Sequence, residues 1–61
     1  MKNTTVSIIR EQIKWMEEAK STHDTLPTYY NVKGMIRLAE KLNILSEEEG
    51  DELMQELKQA Y

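Results

Sequence analysis

The chain has 61 residues, a net charge of −3 at pH 7, one histidine and no cysteine. At this length we expect a single small domain, residues 1–61, of marginal stability, because so short a chain buries only about 60% of the surface that its unfolded form exposes. Disulfides are excluded, and a structural zinc site is nearly excluded because His23 is the only strong nitrogen ligand and no sulfur ligand cluster exists. Oligomerisation or very regular helix packing therefore remains as a source of stability.

The first predicted helix covers about residues 5–20. Apolar residues recur there at the spacing of three and four that is typical of one helical face, and a second apolar row lies beside the first. Together the two rows cover about half of the helix circumference. The first row consists of Val6, Ile9, Ile13 and Met16, and the second consists of Ile8, Trp15 and Ala19.

The second predicted helix covers about residues 28–43. Pro27 is tolerated in a first helical turn but not deeper, which places the start of the helix close to it. Gly34 weakens the interior of this helix by ~1 kcal/mol relative to alanine. The apolar face again covers about half of the circumference, and its residues are Tyr29, Val32, Met35, Ile36, Leu38, Ala39 and Leu42.

The third predicted helix covers about residues 47–60, and Ser46 and Glu49 have the spacing of a capping box at its start. The connection before it, residues 43–45, is short, so the second and third helices must be neighbours. No segment shows the alternation of a strand. We therefore predict an all-α fold, either a small three-helix bundle or a helical hairpin with a packed third helix. The inner face of the third helix consists of Gly50, Leu53, Leu57 and Ala60.

The first two helices carry more apolar surface than a lone three-helix bundle needs to bury. We interpret the surplus as a contact surface for a second copy of the chain or for another protein, since a short chain gains stability by association. Trp15 is either a core residue or an interface anchor, because tryptophan is enriched at the hot spots of protein contacts. The alternative is that these side chains are simply exposed, as single apolar residues often are. The predicted interface residues are Ile8, Ile13, Trp15, Met35 and Leu38.

Residues 42–57, LNILSEEEGDELMQEL, raise the question of DNA binding, because their outline is similar to the joint of a helix-turn-helix. The turn is one residue longer than in that motif, and the third helix presents six acidic groups against the single basic residue Lys58. Affinity for DNA comes largely from Lys and Arg side chains that neutralise phosphates. We therefore expect no DNA binding through the third helix.

A basic patch on the second helix consists of Lys33, Arg37 and Lys41, which are spaced four apart, with Tyr30 beside them. Like charges at this spacing cost a few tenths of a kcal/mol per pair, so helix stability does not account for the row. The patch could bind phosphates weakly, and the chain would then be a nucleic-acid-binding accessory protein. It could also meet an acidic protein or the third helix of a neighbouring copy. The alternative is a solvated helix face.

An acidic patch on the third helix allows a further hypothesis, an inhibitor or DNA mimic that presents carboxylates to a basic partner. The alternative is again a solvated surface, because the positive N-terminal dipole stabilises carboxylates in the first turn by ~0.3–1 kcal/mol each. The residues of this patch are Glu47, Glu48, Asp51, Glu52 and Glu56.

The segment ILSEEEGDELMQEL also resembles, locally, the short C-terminal domain found at the ends of many bacterial proteins. That family is a small helical hairpin whose second helix opens with a similar phrase, and the match covers about residues 38–57. Gly50 stands where the family pattern usually has an aromatic residue. The resemblance implies an element for interaction or oligomerisation, and it supplies no catalytic residue.

We predict no catalytic residue, metal site or cofactor. His23 and Asp24 are neighbours in a polar segment and seldom orient as a base and its carboxylate. A chain this small has little room for a substrate pocket of ~300 Å³. No apolar run approaches the ~20 residues of a membrane span, and the start of the chain lacks the core of a signal peptide. We expect a cytoplasmic, non-enzymatic interaction module or regulatory accessory protein of bacterial or phage-like character, which forms a homodimer.

Overall fold

A computed structural model describes all 61 residues and confirms the predicted all-α fold. It contains three helices, α1 (Lys2–Ala19), α2 (Leu26–Lys41) and α3 (Glu47–Ala60), and no strand. Each helix packs against the other two. The molecule is therefore a three-helix bundle, 35 Å long and 16 to 17 Å across.

The first two helices begin earlier than the apolar pattern predicts. At the start of α1, the backbone N–H and the hydroxyl of Thr5 both donate to the Met1 carbonyl, at 3.0 and 2.9 Å. At the start of α2, the N–H of Leu26 donates to the Asp24 carboxylate at 3.1 Å. The bond to Asp24 satisfies a backbone N–H that the first turn of α2 would otherwise leave to water, and the Thr5 hydroxyl adds a side-chain bond to the first turn of α1. Polar residues thus extend both helices beyond their apolar stripes.

The second helix ends two residues earlier than predicted because Asn43 adopts a left-handed backbone conformation, with φ at 59°. The N–H of Asn43 donates to the Glu40 carbonyl at 3.0 Å, and the N–H of Ile44 donates to the Ala39 carbonyl at 2.9 Å. This pair of bonds is the Schellman motif, which closes a helix and reverses the chain direction. The turn carries Leu45 into the core, where it is buried.

The predicted capping box at the start of α3 is confirmed. The Ser46 hydroxyl accepts from the N–H of Glu49 at 3.1 Å, and the Glu49 carboxylate accepts from the N–H of Ser46 at 2.9 Å. One residue further on, Gly50 is buried against α2, where an added Cβ would lie 2.5 Å from the side chain of Glu40. The absence of a side chain at this position therefore allows α2 and α3 to approach closely.

The core runs between the three helices and contains ten buried apolar residues. Burying one Val, Leu, Ile or Met side chain contributes about 1.5–3 kcal/mol, which the loss of conformational entropy largely offsets. The predicted inner face of α3 is buried along its whole length. The core residues are Ile9, Ile13, Met16, Val32, Ile36, Ala39, Leu45, Leu53, Leu57 and Ala60.

Candidate protein-interaction surface

The seam between α1 and α3 is closed by ion pairs. Lys2 pairs with Glu49 near one end, and Arg10 forms a two-point contact with Glu56, its Nη2 and Nε lying 2.9 and 3.2 Å from the two carboxylate oxygens. The hydrogen bond to Glu56, and then the charge of Glu56, raise the pKa of Arg10 above its ordinary value. The side chains of both pairs are partly open to solvent, so water and salt screen them and each contributes little to stability. Their main consequence is that this surface is already occupied by its own polar contacts.

The seam between α2 and α3 contains charges of both signs. A shallow hollow of about 460 Å³ there is lined by Arg37 and Lys41 together with the carboxylates Glu40, Glu47 and Asp51. Members of the predicted basic and acidic patches therefore face each other within one molecule. Three neighbouring carboxylates reduce the positive potential that the two basic residues could offer to a phosphate. This arrangement disfavours α2 as a nucleic-acid surface.

No ion pair crosses the seam between α1 and α2, and one end of this seam is apolar. Near the start of α1 and the end of α2 the two helices enclose an open groove of about 210 Å³, which we call the apolar groove. Leu38 and Leu42 on its rim are 57% and 60% exposed, although both are large aliphatic side chains. The groove is lined by Thr5, Ile8, Ile9, Met35, Leu38, Ala39, Leu42 and Ile44.

Trp15 lies at the other end of the same seam and is 44% exposed. Its ring packs against His23 at a centroid distance of 6.0 Å, and with Gln12 and Thr28 it borders a second, shallower hollow. We call the surface from Leu42 to Trp15 along this seam the α1–α2 face. It thus presents a groove at one end and a half-exposed aromatic ring at the other.

The structure places the predicted interface residues in two environments. Ile8, Met35 and Leu38 line the apolar groove, and Trp15 lies on the same face. Ile13, in contrast, is a core residue and only 7% exposed, so it is not available to a partner. The two apolar rows of α1 look alike in the sequence, and only the packing of α3 against one of them separates core from surface.

Two exposed or half-buried apolar residues of the groove lie outside the predicted interface, Leu42 and Ile44. Leu42 had a signal in the sequence, because it follows Leu38 by four residues and hence lies on the same side of the helix. Ile44 had none, since it follows the end of α2 and reaches the groove through the left-handed turn at Asn43.

The predicted acidic patch is divided among three surfaces. Glu56 is bound to Arg10, and Glu52 borders the α1–α3 seam. Glu47 and Asp51 border the α2–α3 hollow, which leaves Glu48 exposed away from both. Three of the five carboxylates, Glu47, Asp51 and Glu56, thus already have basic neighbours within the molecule, which reduces the negative charge that the patch offers to a basic partner.

No group of three or more His, Asp or Glu side chains is arranged to hold a metal ion. The single histidine, His23, contacts the Thr22 hydroxyl through Nδ1 at 2.9 Å and packs against Trp15, with no carboxylate partner. No helix combines the length and apolar character required to span a membrane. On the α1–α2 face, by contrast, Ile8, Leu38 and Leu42 stay exposed to solvent and no ion pair connects the two helices.

No protein-family model matches this chain, and no curated protein and no solved structure matches it either.

Proposed function

We propose that the chain is a small, non-enzymatic interaction module that associates with a second copy of itself through the α1–α2 face. The observation that carries this proposal is the contrast between the three seams. Two are lined by charged residues that contact or face one another, whereas the third exposes Ile8, Leu38 and Leu42 around an open groove. Contiguous apolar surface of this kind is typical of protein contact sites.

Association also supplies what a chain of this length lacks. A core of ten residues stabilises a 61-residue chain only marginally, and no disulfide is present to assist it. Covering the exposed leucines would add apolar burial at ~25 cal/mol per Å² of the area removed from water. In this proposal the regulatory or accessory role depends on the pair rather than on the single chain.

The experiment that tests the proposal is the solution mass, measured by light scattering on a sizing column over a wide concentration range. We expect a mass near twice 7.2 kDa at high concentration. The substitution Leu38→Asp should convert the pair to folded monomers, since it places a carboxylate in an apolar contact.

The matched control is Tyr30→Asp, which adds the same charge to the same helix at a residue that is 61% exposed and lies outside the groove. Circular dichroism establishes that both variants remain helical. A wild-type chain that stays at 7.2 kDa at every concentration would contradict the proposal, as would equal loss of mass in both variants.

A further inference from the structure

We propose that the two copies pair antiparallel about a two-fold axis close to Gln12, so that Trp15 of each copy enters the apolar groove of the other. This inference rests on the proposed self-association and adds the arrangement of the pair. It assigns Trp15 as the anchor residue and the groove formed by Ile8, Met35 and Leu42 as its receptor.

The first argument is the position of the ring and the groove on one face. Ile8 and Trp15 are seven residues apart, which is about 10 Å along a helix. A two-fold axis midway between them, at the level of Gln12, places the ring of each copy over the groove of the other. A pair of this kind is isologous and closed, so it does not grow into a filament.

The size of the groove agrees with this occupant. Its volume of about 210 Å³ is larger than the ~150 Å³ of an apolar cavity that accepts a benzene ring. It is smaller than the ~300 Å³ at which pockets for whole small molecules begin. One aromatic side chain, partly inserted, is therefore a better match to the groove than a small-molecule ligand.

Charge favours a second copy of this chain over a charged partner. Each copy carries a net charge of −3, so most contacts between copies would bring carboxylates together. On the α1–α2 face, however, Glu11 is the single charged residue that lines either hollow. Lys14 follows Glu11 by one turn on α1, and the antiparallel arrangement brings Glu11 of each copy within about two residues, or ~3 Å, of the levels of both Glu11 and Lys14 of the other. The repulsion between the two carboxylates is therefore offset by the attraction to the two lysines.

The polar residues in the middle of the face are compatible with the axis. Gln12 lies one turn from both Ile8 and Trp15, and an amide side chain has donors and an acceptor, so it can pair with its own symmetry copy. A standard interface covers ~800 Å² per partner, whereas this side of the bundle measures only 35 by 17 Å. A stable pair must use the full length of the face, and the antiparallel arrangement covers both ends at once.

Fluorescence of the single tryptophan tests where Trp15 inserts. We expect its emission to shift to longer wavelength on dilution, in parallel with the loss of dimer mass, at one fixed pH. In the dimer, Leu42→Ala should also red-shift this emission, although Leu42 and Trp15 lie at opposite ends of the same copy. Diluted to monomers, the variant and the wild type should have the same emission. Trp15→Ala should weaken the dimer about 30-fold, the effect of a hot-spot residue.

Cysteine substitution tests the direction of the pairing, because the natural chain has no cysteine. Under oxidation, Gln12→Cys should form a disulfide-linked dimer at concentrations at which the wild type is dimeric. The matched control is Gln55→Cys on the exposed side of α3, which should remain unlinked. Asn31→Cys is the alternative partner, since Asn31 lies between Thr28 and Met35 on the same face and would oppose Gln12 if α1 lay over α2 of the other copy.

The outcomes separate this inference from the proposed function. If the emission wavelength of Trp15 changes neither on dilution nor with Leu42→Ala, the inference is overturned, whereas self-association is not affected. A mixture of the Gln12→Cys and Asn31→Cys chains that links mainly as the mixed dimer would do the same. A chain that is monomeric at every concentration would overturn both the proposed self-association and this arrangement, and the groove would then be a contact site for a different protein.

Discussion

At the residue scale, Asn43 determines where α2 ends and how the chain continues into α3. Its left-handed conformation, with φ at 59°, turns the chain so that Ile44 borders the apolar groove and Leu45 enters the core. Residues with a Cβ cost ~1–2 kcal/mol in this conformation, and asparagine and glycine tolerate it best. One residue outside every apolar stripe therefore positions two apolar side chains.

We predict that Asn43→Ala lowers the free energy of unfolding by about 1 kcal/mol, because alanine lacks the side chain that stabilises the left-handed conformation. Asn43→Gly should stay within about 0.5 kcal/mol of the wild type, since glycine adopts positive φ without steric cost. Urea denaturation at one protein concentration measures both. An alanine variant as stable as the glycine variant would show that the left-handed turn does not limit stability.

At the scale of the helix, the two glycines differ in surroundings although both lie within helices. An added Cβ at Gly34 meets nothing within 4 Å, whereas at Gly50 it lies 2.5 Å from the Glu40 side chain. We predict that Gly34→Ala stabilises the protein by about 1 kcal/mol, the helix propensity difference, and raises Tm by about 4–8 °C. Thermal unfolding followed by circular dichroism provides the measurement.

The matched comparison is Gly50→Ala, which gains the same helix propensity but must displace the Glu40 side chain. Its gain in Tm should be smaller than that of Gly34→Ala. Equal gains would mean that Glu40 moves aside without cost, and a loss at Gly34 would contradict the open surroundings of that residue.

The helices themselves could largely be predicted from the sequence because their signals are local. The capping box needs only Ser46 and Glu49, three residues apart, and the inner face of α3 follows from a period of about 3.6 residues. The helix ends were less predictable, since the start of α1 depends on Thr5 and the end of α2 on the backbone of Asn43. Neither residue belongs to an apolar pattern.

At the scale of the whole molecule, the contacts between helices could not be read from one sequence. Arg10 and Glu56 are 46 residues apart, and no spacing rule connects them. Similarly, the sequence predicts the basic and acidic patches as separate surfaces, although Arg37 and Glu47 border one hollow. Ile13, which is predicted at the interface, is buried in the core for the same reason, because the side of α1 that faces the core depends on where α3 packs.

The contact between Lys2 and Glu49 links the starts of α1 and α3 and gives the molecule a pH dependence. The hydrogen bond from Lys2, followed by that from the Ser46 backbone, lowers the pKa of Glu49 below its ordinary value of 4.5. As the pH falls, the Glu49 carboxylate is therefore protonated at a higher pH in the unfolded chain than in the folded protein. The stability that Glu49 contributes is fully present above about pH 4.5 and is lost as the pH drops through the lower pKa of the folded state.

We predict that the Glu49→Gln variant loses less stability than the wild type as the pH is lowered from about 4.5. Glutamine preserves the capping box, since its side-chain oxygen can still accept from Ser46, so the variant removes the charge and little else. Lys2→Gln should also weaken the dependence of stability on pH, because it removes the largest cause of the lowered pKa of Glu49. Urea denaturation across this pH range, at low salt to limit screening, provides the comparison. Slopes that are identical in all three proteins would show that the link between α1 and α3 does not hold in solution.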